Sequence, residues 1–370
     1  MKGARIDPAM KYINEYRNRE LINKVVSRIN KSAVKSYTFM EVCGGHTSAI
    51  HRFGIPSLLP GNIRLISGPG CPVCVTATVF IDRIVACSGM DDVIIATFGD
   101  LIRVPGSESS LEEARREGAD IRIVFSGLDA LDIARQNPDR KIVFPAIGFE
   151  TTAPGSAATI IEAAARDIGN VFILSAHKVM PPVMRALLEE GAVLDGFICP
   201  GHVATITGSA AFEFIPRDYG KACVIAGFEP LDLLHSILML VNQVNNGKPS
   251  LETEYRRAVF PAGNPLAKKI LSEVFEPCDT EWRGFGTVPL SGLRLKKEFE
   301  RFDAGKLLKQ EVHFSSDHPG CICGEILRGL KKPPDCRLFA GVCTPEKPVG
   351  ACMVSPEGAC NSYFKYSPDE

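Results

Sequence analysis

Residues 141–178 read KIVFPAIGFETTAPGSAATIIEAAARDIGNVFILSAHK. An apolar run, Lys141–Ile147, leads into a Gly-bearing polar motif. A helical stretch, Ala153–Asp167, and a second apolar run, Asn170–Leu174, follow it. Strand, helix and strand at this spacing make a βαβ unit, whose two strands lie parallel in one sheet.

The alternation continues outward in both directions. Strands are expected upstream at Tyr37–Val42, Ile63–Ile66, Asp92–Phe98 and Ile121–Phe125, and downstream at Gly196–Cys199 and Ala222–Ala226. Helices are expected at Thr76–Cys87, Ser110–Glu117 and Pro181–Glu190, with Ser110 and Glu113 spaced for a capping box. Thr151 and Thr152 read as N-cap residues of the 153–167 helix. Residues 8–32 carry apolar positions near helical spacing, and 231–246 read as a long buried helix. The strand count predicts two parallel-sheet α/β domains in series, residues 33–137 and 138–250. Beyond residue 255 the alternation stops and Pro and Gly become frequent. Residues 251–370, with the N-terminal helix 1–32, make up the expected third domain.

That third region holds the densest chemistry. Six of the thirteen cysteines (Cys321, Cys323, Cys336, Cys343, Cys352 and Cys360) fall between His318 and Tyr363, interleaved with Gly and Pro. A turn-rich segment with few apolar residues is not held by core burial alone. Disulfides suit a secreted chain, and zinc wants paired Cys-x-x-Cys knuckles, which the tail lacks. An iron–sulfur cluster needs four thiolates, and six cysteines supply four with two to spare.

Composition narrows the context. Of 370 residues, 45% are hydrophobic and 23% charged, ordinary for a globular protein. The net charge of −1 provides no long-range attraction to nucleic acid or an anionic membrane. No apolar run approaches the ~18 residues that span a bilayer, and the start, MKGARIDPAM, lacks an apolar signal core. The chain therefore reads as soluble and cytoplasmic, where clustered cysteines more often mean metal or redox chemistry than structural disulfides.

Six polar or Gly-rich motifs each follow directly after an expected strand: CGGH (43–46), GPGCPVC (68–74), FGDLIRVPGS (98–107), GFETTAP (148–154), SAHK (175–178) and CPGH (199–202). Sites in open parallel sheets lie beyond the carboxyl ends of the strands, so each sheet should carry its reactive side chains on one rim. If the rims face each other, the motifs line one inter-domain cleft. Cys43 beside His46 suits a metal ligand or an activated nucleophile, or a buried Cys ahead of a helix. Cys71 and Cys74, at a strand-to-helix turn, form a redox pair or half of a zinc site without a second knuckle. Asp100, Arg103, Glu150, His177 and His202 are site candidates, or caps and inter-domain salt bridges. His51 reads as a surface or packing residue. Cys87, Cys199, Cys223 and Cys278 read as buried inert thiols. Phosphate loops, dinucleotide fingerprints, H-E-x-x-H and G-x-S-x-G motifs are all absent from the sequence.

MEVCGGHT (40–47), GPGCPVC, FGDLIRVPGS, GFETTAP and CTPEKPVGACMVSPEGAC (343–360) together resemble the HypD-type hydrogenase maturation factors, over nearly the whole chain. Ser48 departs from the pattern, since many members carry a further His there. The resemblance implies two α/β domains and a cluster-bearing third domain, with surroundings similar to those of ferredoxin–thioredoxin reductase. It also implies a redox-active scaffold that assembles the Fe(CN)2CO unit of [NiFe]-hydrogenases. The implied partners are a HypC-type chaperone, a HypE-type cyanide donor charged by a HypF-type enzyme and, indirectly, the hydrogenase large subunit. Carried over residue by residue, Cys43 and His46 would hold the iron and Cys71, Cys74 and Glu150 would serve the chemistry. Cys321, Cys336, Cys343 and Cys360 would ligate a [4Fe-4S] cluster, with Cys323 and Cys352 as a redox disulfide beside it. The alternative function is a [4Fe-4S]-dependent thiol–disulfide reductase, which has no need of CGGH.

Overall fold

The computed structural model describes residues 14–308 and 317–367. The alternation builds eleven strands among these residues. They are β1 (Tyr37–Glu41), β2 (Ile63–Ser67), β3 (Val93–Thr97), β4 (Ile121–Ile123), β5 (Lys141–Gly148), β6 (Val171–His177), β7 (Gly196–Pro200), β8 (Ala222–Ala226), β9 (Leu251–Thr253), β10 (Phe275–Trp282) and β11 (Gly286–Leu295). β3 (VIIAT), β7 (GFICP) and β8 (ACVIA) are buried at every position, as expected of parallel strands covered by helices on both faces.

Two parallel sheets result, ordered β2-β1-β7-β8-β9 and β4-β3-β5-β6. The two α/β domains are present, but they are not in series. The chain lays down β1 and β2, leaves to build the whole second sheet, and returns to add β7, β8 and β9 beside β1. A boundary at residue 138 would cut the second sheet between β4 and β5. The cause is pairing: Val93 and Ile95 of β3 sit against Lys141 and Val143 of β5, while Phe39 and Glu41 of β1 sit against Gly196 and Ile198 of β7.

Two further expectations change. The N-terminal helix runs Arg19–Ser32, started by Asn18, whose side chain accepts the Leu21 N–H at 3.1 Å. Residues 8–13 of the expected helix lie outside the described residues. Val25 and Ile29 are buried in the core of the first sheet's domain, against the helix Pro230–Asn246, so this helix does not belong with the Cys-rich region. Nor are residues 251–308 part of that region. β9 joins the first sheet, while the β10–β11 hairpin docks on β6, with the Val179 N–H donating to Ser291 O at 2.9 Å and Ser175 Oγ to Leu293 O at 2.6 Å. Val274, Phe275 and Phe302 complete the second sheet's core.

Local signals were read unevenly. Ser110 and Glu113 do bond, through the Glu113 N–H (3.3 Å) and carboxylate (3.2 Å). Thr152 occupies the N-cap position of the helix Ala153–Ala165 without a side-chain cap bond. β4 stops at Ile123 because the Phe125 and Ser126 N–H groups turn to the Asp129 carboxylate, capping a helix, Gly127–Gln136, that periodicity did not flag. The tail folds as short helices, Cys323–Leu327, Ala351–Val354 and Ala359–Tyr366, joined by turns. Cys323, Cys343, Cys352 and Cys360 share one continuous hydrophobic core with both sheets, and Cys321 packs against it. No helix among the described residues is long and apolar enough to cross a membrane.

Ile29, fully buried, tests where the N-terminal helix belongs. Ile29→Ala should cost about 2–5 kcal/mol of unfolding free energy in a denaturant titration. A cost below about 1 kcal/mol would mean that the helix does not pack into the first sheet's core.

Candidate functional site

The site begins with strand register. β1 and β2 pair with Glu41 opposite Ser67, so the segments after them leave the sheet side by side. The Gly44 N–H donates to Gly70 O at 2.8 Å. A Cβ on Gly70 would fall onto the Cys43 backbone nitrogen, so only glycine allows the GPGC loop to lie against Cys43. Cys71 and Cys74, one residue further on, are joined by a disulfide.

Cys43 caps the helix Gly44–Arg52. Its sulfur faces the Gly45 and His46 N–H groups without closing a cap hydrogen bond. Burial pushes the thiol up to about 12, and the nearby Glu357 carboxylate adds to this against the opposing N–H groups. Glu357 backs directly onto Gly44. Asp100, from the FGDL motif after β3, lies close enough to Glu357 to raise that acid further, after burial. The rim of the second sheet therefore meets the rim of the first at the tail. Arg103 strengthens the junction by donating to Pro345 O at 2.9 Å.

His46 is fully buried, and burial lowers it to about 4, so its ring is neutral. Nε2–H donates to Ala226 O at 3.2 Å, which leaves Nδ1 as a buried lone pair with no hydrogen-bond partner among the described residues. The ring stacks on Phe228 at 4.5 Å, and His202 stacks on the same Phe228 at 3.8 Å. Gly45, Ser48, His202, Phe228 and Glu357 line an open cleft of about 780 Å³. Beneath them lies Glu41, missed in the sequence. It accepts from Thr47 Oγ1 (2.5 Å) and the Cys43 N–H (3.2 Å), and burial raises it to about 8.

Not every expected residue joins this group. Glu150 lies at the second sheet's rim, where its carboxylate accepts the Met180 N–H at 2.9 Å; burial raises it to about 7. His177 bonds Gly148 O and Ser156 Oγ (3.2 and 2.8 Å) and ties β5, β6 and the helix Ala153–Ala165 together. His51 is a packing residue: it is buried, packs at a tilt against the Tyr363 ring at 4.2 Å and bonds Ser367 Oγ at 3.0 Å. Cys87, Cys199 and Cys223 are buried, with the Cys199 and Cys223 sulfurs 3.3 Å apart across β7 and β8. Cys278 is half-buried in the hairpin.

All six tail cysteines line one small cavity, closed by Ile326, Leu338, Phe339 and Met353. They fall into two groups that touch, since Cys352 also bonds Cys360 and Cys321 lies near Cys323. Cys323 and Cys352 are buried with their sulfurs 2.6 Å apart. Cys321 lies within electrostatic reach of Cys336 and Cys360, and so does Cys343, which closes a ring of four. Burial pushes the Cys321 thiol up to about 12, and Cys323, Cys360 and Cys336 add to this. Among the described residues no three His, Cys, Asp or Glu side chains already converge tightly enough for a single ion. A ring of soft sulfur donors around an apolar cavity does fit a sulfide cluster larger than one ion. The helix Ala359–Tyr366 packs on the helix that Cys43 caps, and Ala351–Val354, which bears Cys352, packs on Pro72–Val75. The two cysteine centres are thus neighbours.

Glu41, Glu357 and Phe228 escaped the sequence reading. Glu41 and Glu357 stand inside motifs that were read, MEVCGGHT and SPEGAC, but a carboxylate gives no sign of burial without its partners. Phe228 follows β8 without a polar motif to mark it.

Taken together, these features define a thiol-rich α/β protein that gathers its cysteines at a sheet rim and in an adjoining tail. The chain belongs to the HypD family, described as the hydrogenase formation hypA family, whose model matches residues 20–367. It is 48% identical to the hydrogenase maturation factor HypD of Rhizobium leguminosarum bv. viciae, over 96% of both chains. It is also 48% identical to the factor of that name from Cupriavidus necator, over 96% of this chain and 97% of the relative. To that of Escherichia coli it is 44% identical, over 98% and 99%. The chain is thus a member of a hydrogenase maturation family.

Glu150 gives the second sheet's rim a pH signature. Its carboxyl is raised from 4.5 to about 7 in the folded protein, so the unfolded chain binds fewer protons across that interval. Its contribution is full below pH 4.5 and is lost as pH rises to about 7. Glu150→Gln should remove that loss, on the order of 2–3 kcal/mol, from a melting-temperature profile between pH 4.5 and 7. Parallel profiles for wild type and variant would refute the assignment.

Proposed function

We propose that this chain is a redox-active scaffold on which the Fe(CN)2CO unit of [NiFe]-hydrogenase is assembled, together with a HypC-type chaperone. One observation carries the reading: the backbone contact of the GPGC loop with Cys43, which sets a cysteine at a helix N-terminus beside a redox-capable pair. Cys43 supplies the soft sulfur donor that low-spin iron prefers. Because burial holds its thiol near 12, iron binding must displace the proton. His46 brings to the same turn of helix an Nδ1 with no partner among the described residues, and the cleft beyond Gly45 leaves room for a partner's terminal segment.

Cys321, Cys336, Cys343 and Cys360 would hold a [4Fe-4S] cluster, whose chemistry is one-electron transfer. The mutual reach of these four, and the 2.6 Å approach of Cys323 to Cys352, support dividing the six in this way, with the two groups meeting where Cys352 bonds Cys360. In the proposal Cys323 and Cys352 exchange with Cys71–Cys74, which adjoins the iron held at Cys43. A HypE-type partner would donate cyanide, and the loaded unit would pass to the hydrogenase large subunit in the cytoplasm, where thiols persist. The competing reading, a cluster-dependent thiol–disulfide reductase, accounts for both thiol pairs. It leaves His46 Nδ1 without a purpose.

Infrared spectroscopy of anaerobic protein with its small partner is the direct test, since CO and cyanide stretches fall where proteins do not absorb. Cys43→Ala should lose these bands and keep the visible absorption. Cys71→Ala or Cys74→Ala should keep the visible absorption and stop maturation; a double variant that matures hydrogenase at the normal rate would refute the relay.

Metal analysis checks the tail. Anaerobic protein should hold about four irons and four sulfides, the content of one cubane. Cys336→Ala or Cys343→Ala should remove the colour. Colourless wild-type protein with stoichiometric zinc would end the cluster reading.

A further inference from the structure

The tip of the β10–β11 hairpin, Trp282–Arg283–Gly284, touches the segments that carry both thiol pairs. Trp282 is buried, stacks on Phe149 at 6.0 Å and bridges to Thr76, just beyond Cys74. The Arg283 N–H donates to Val75 O at 2.9 Å, and its Nε–H to Thr76 O at 3.1 Å. Nη1 forms an ion pair with Asp317, at the start of the tail. Gly284, at φ +83°, lies against Gly324, and a Cβ on Gly284 would collide with the Gly324 Cα. Gly324 directly follows Cys323. One buried arginine, 5% exposed, thus bonds the two residues after Cys74, Val75 through its main chain and Thr76 through its guanidinium, while the next residue abuts the helix of Cys323. Nη2 is buried without a partner among the described residues. Leaving a charged donor unpaired is costly, so a merely structural role would favour a residue without it.

We propose that Arg283 is a positioning residue that holds the Cys71–Cys74 loop and the Cys323–Cys352 pair in register for thiol–disulfide exchange. The inference rests on the relay reading above. In the exchange, a Cys323–Cys352 dithiol attacks the Cys71–Cys74 disulfide and forms a mixed disulfide. Resolution leaves Cys323–Cys352 oxidised and Cys71–Cys74 reduced, with two electrons and two protons transferred and one S–S bond made for the one broken. Such exchange needs the sulfurs in line and in contact, and the planar fork of Arg283 fixes Thr76 and Asp317 at once, while its backbone N–H holds Val75. Lys carries the charge but cannot reproduce the fork.

The test follows one electron pair through the full chain. Anaerobic protein with both pairs oxidised receives one equivalent of a phosphine reductant and is quenched with an alkylating agent at intervals. Peptide mass spectrometry then gives the reduced fraction of each pair. In wild type the two pairs should settle to a common distribution quickly. Arg283→Lys should slow this by about a hundredfold, the scale on which an ångström of misplacement slows a reaction, while leaving the visible absorption intact. Arg283→Gln should be slowed alike, and Asp317→Asn, at a half-buried and more tolerant position, provides the check should the buried variants fold poorly. Wild-type rates in Arg283→Lys would overturn the positioning role alone. So would a lowered melting temperature with unchanged exchange in the folded fraction. Wild-type pairs that never share electrons would overturn the relay itself.

Discussion

Everything chemical in this molecule depends on the parallel pairing of β1 with β2. Two strands in that register release their following loops from the same rim, and the missing side chain at Gly70 lets those loops touch at the backbone. Cys43 and the Cys71–Cys74 disulfide are neighbours for that reason alone. Had β2 paired elsewhere, the same motifs would stand in separate places and no exchange between them would be possible. The tail adds the second constraint: Glu357 rests on Gly44, and the Cys352 helix rests on the helix of Cys74. Two sheets and a cysteine-rich segment therefore converge on one point, with Asp100 and Arg103 arriving from the second sheet.

The sequence showed which elements exist far better than how they are joined. β3, β5, β7 and β8 announce themselves as apolar runs, because strands covered on both faces must be apolar throughout. The same uniformity hides their neighbours. Nothing in VIIAT or ACVIA says which strand lies alongside, so the crossing from β2 to β3 and the return at β7 could not be read, and a split at residue 138 followed from counting alone. The N-terminal helix was assigned to the wrong region for a similar reason: Val25 and Ile29 show an apolar face, not the identity of the surface that covers it.

Cysteines, glycines and histidines at strand ends were legible because few structural roles compete for them in such clusters. Carboxylates were not. Glu41 becomes distinctive only once Thr47 and the Cys43 N–H are seen bonded to it, and Glu357 only once it lies against Gly44. Arg283 is the extreme case: nothing near it in the sequence separates it from a surface arginine, and its burial follows wholly from where the hairpin docks.

Burial also sets the electrostatic character of the site. The thiols of Cys43 and Cys321 are pushed to about 12 and the rings of His46 and His177 down to about 4, so the groups that could carry charge are held neutral at physiological pH. A neutral imidazole is ready to donate a lone pair, whereas a protonated thiol must first give up its proton. In the proposed scaffold, iron arriving at Cys43 would have to bring enough affinity to displace that proton, and would leave more readily when the proton can return. Tight retention suits a resident metal centre. A cysteine whose protonated form burial favours suits cargo that has to be handed on.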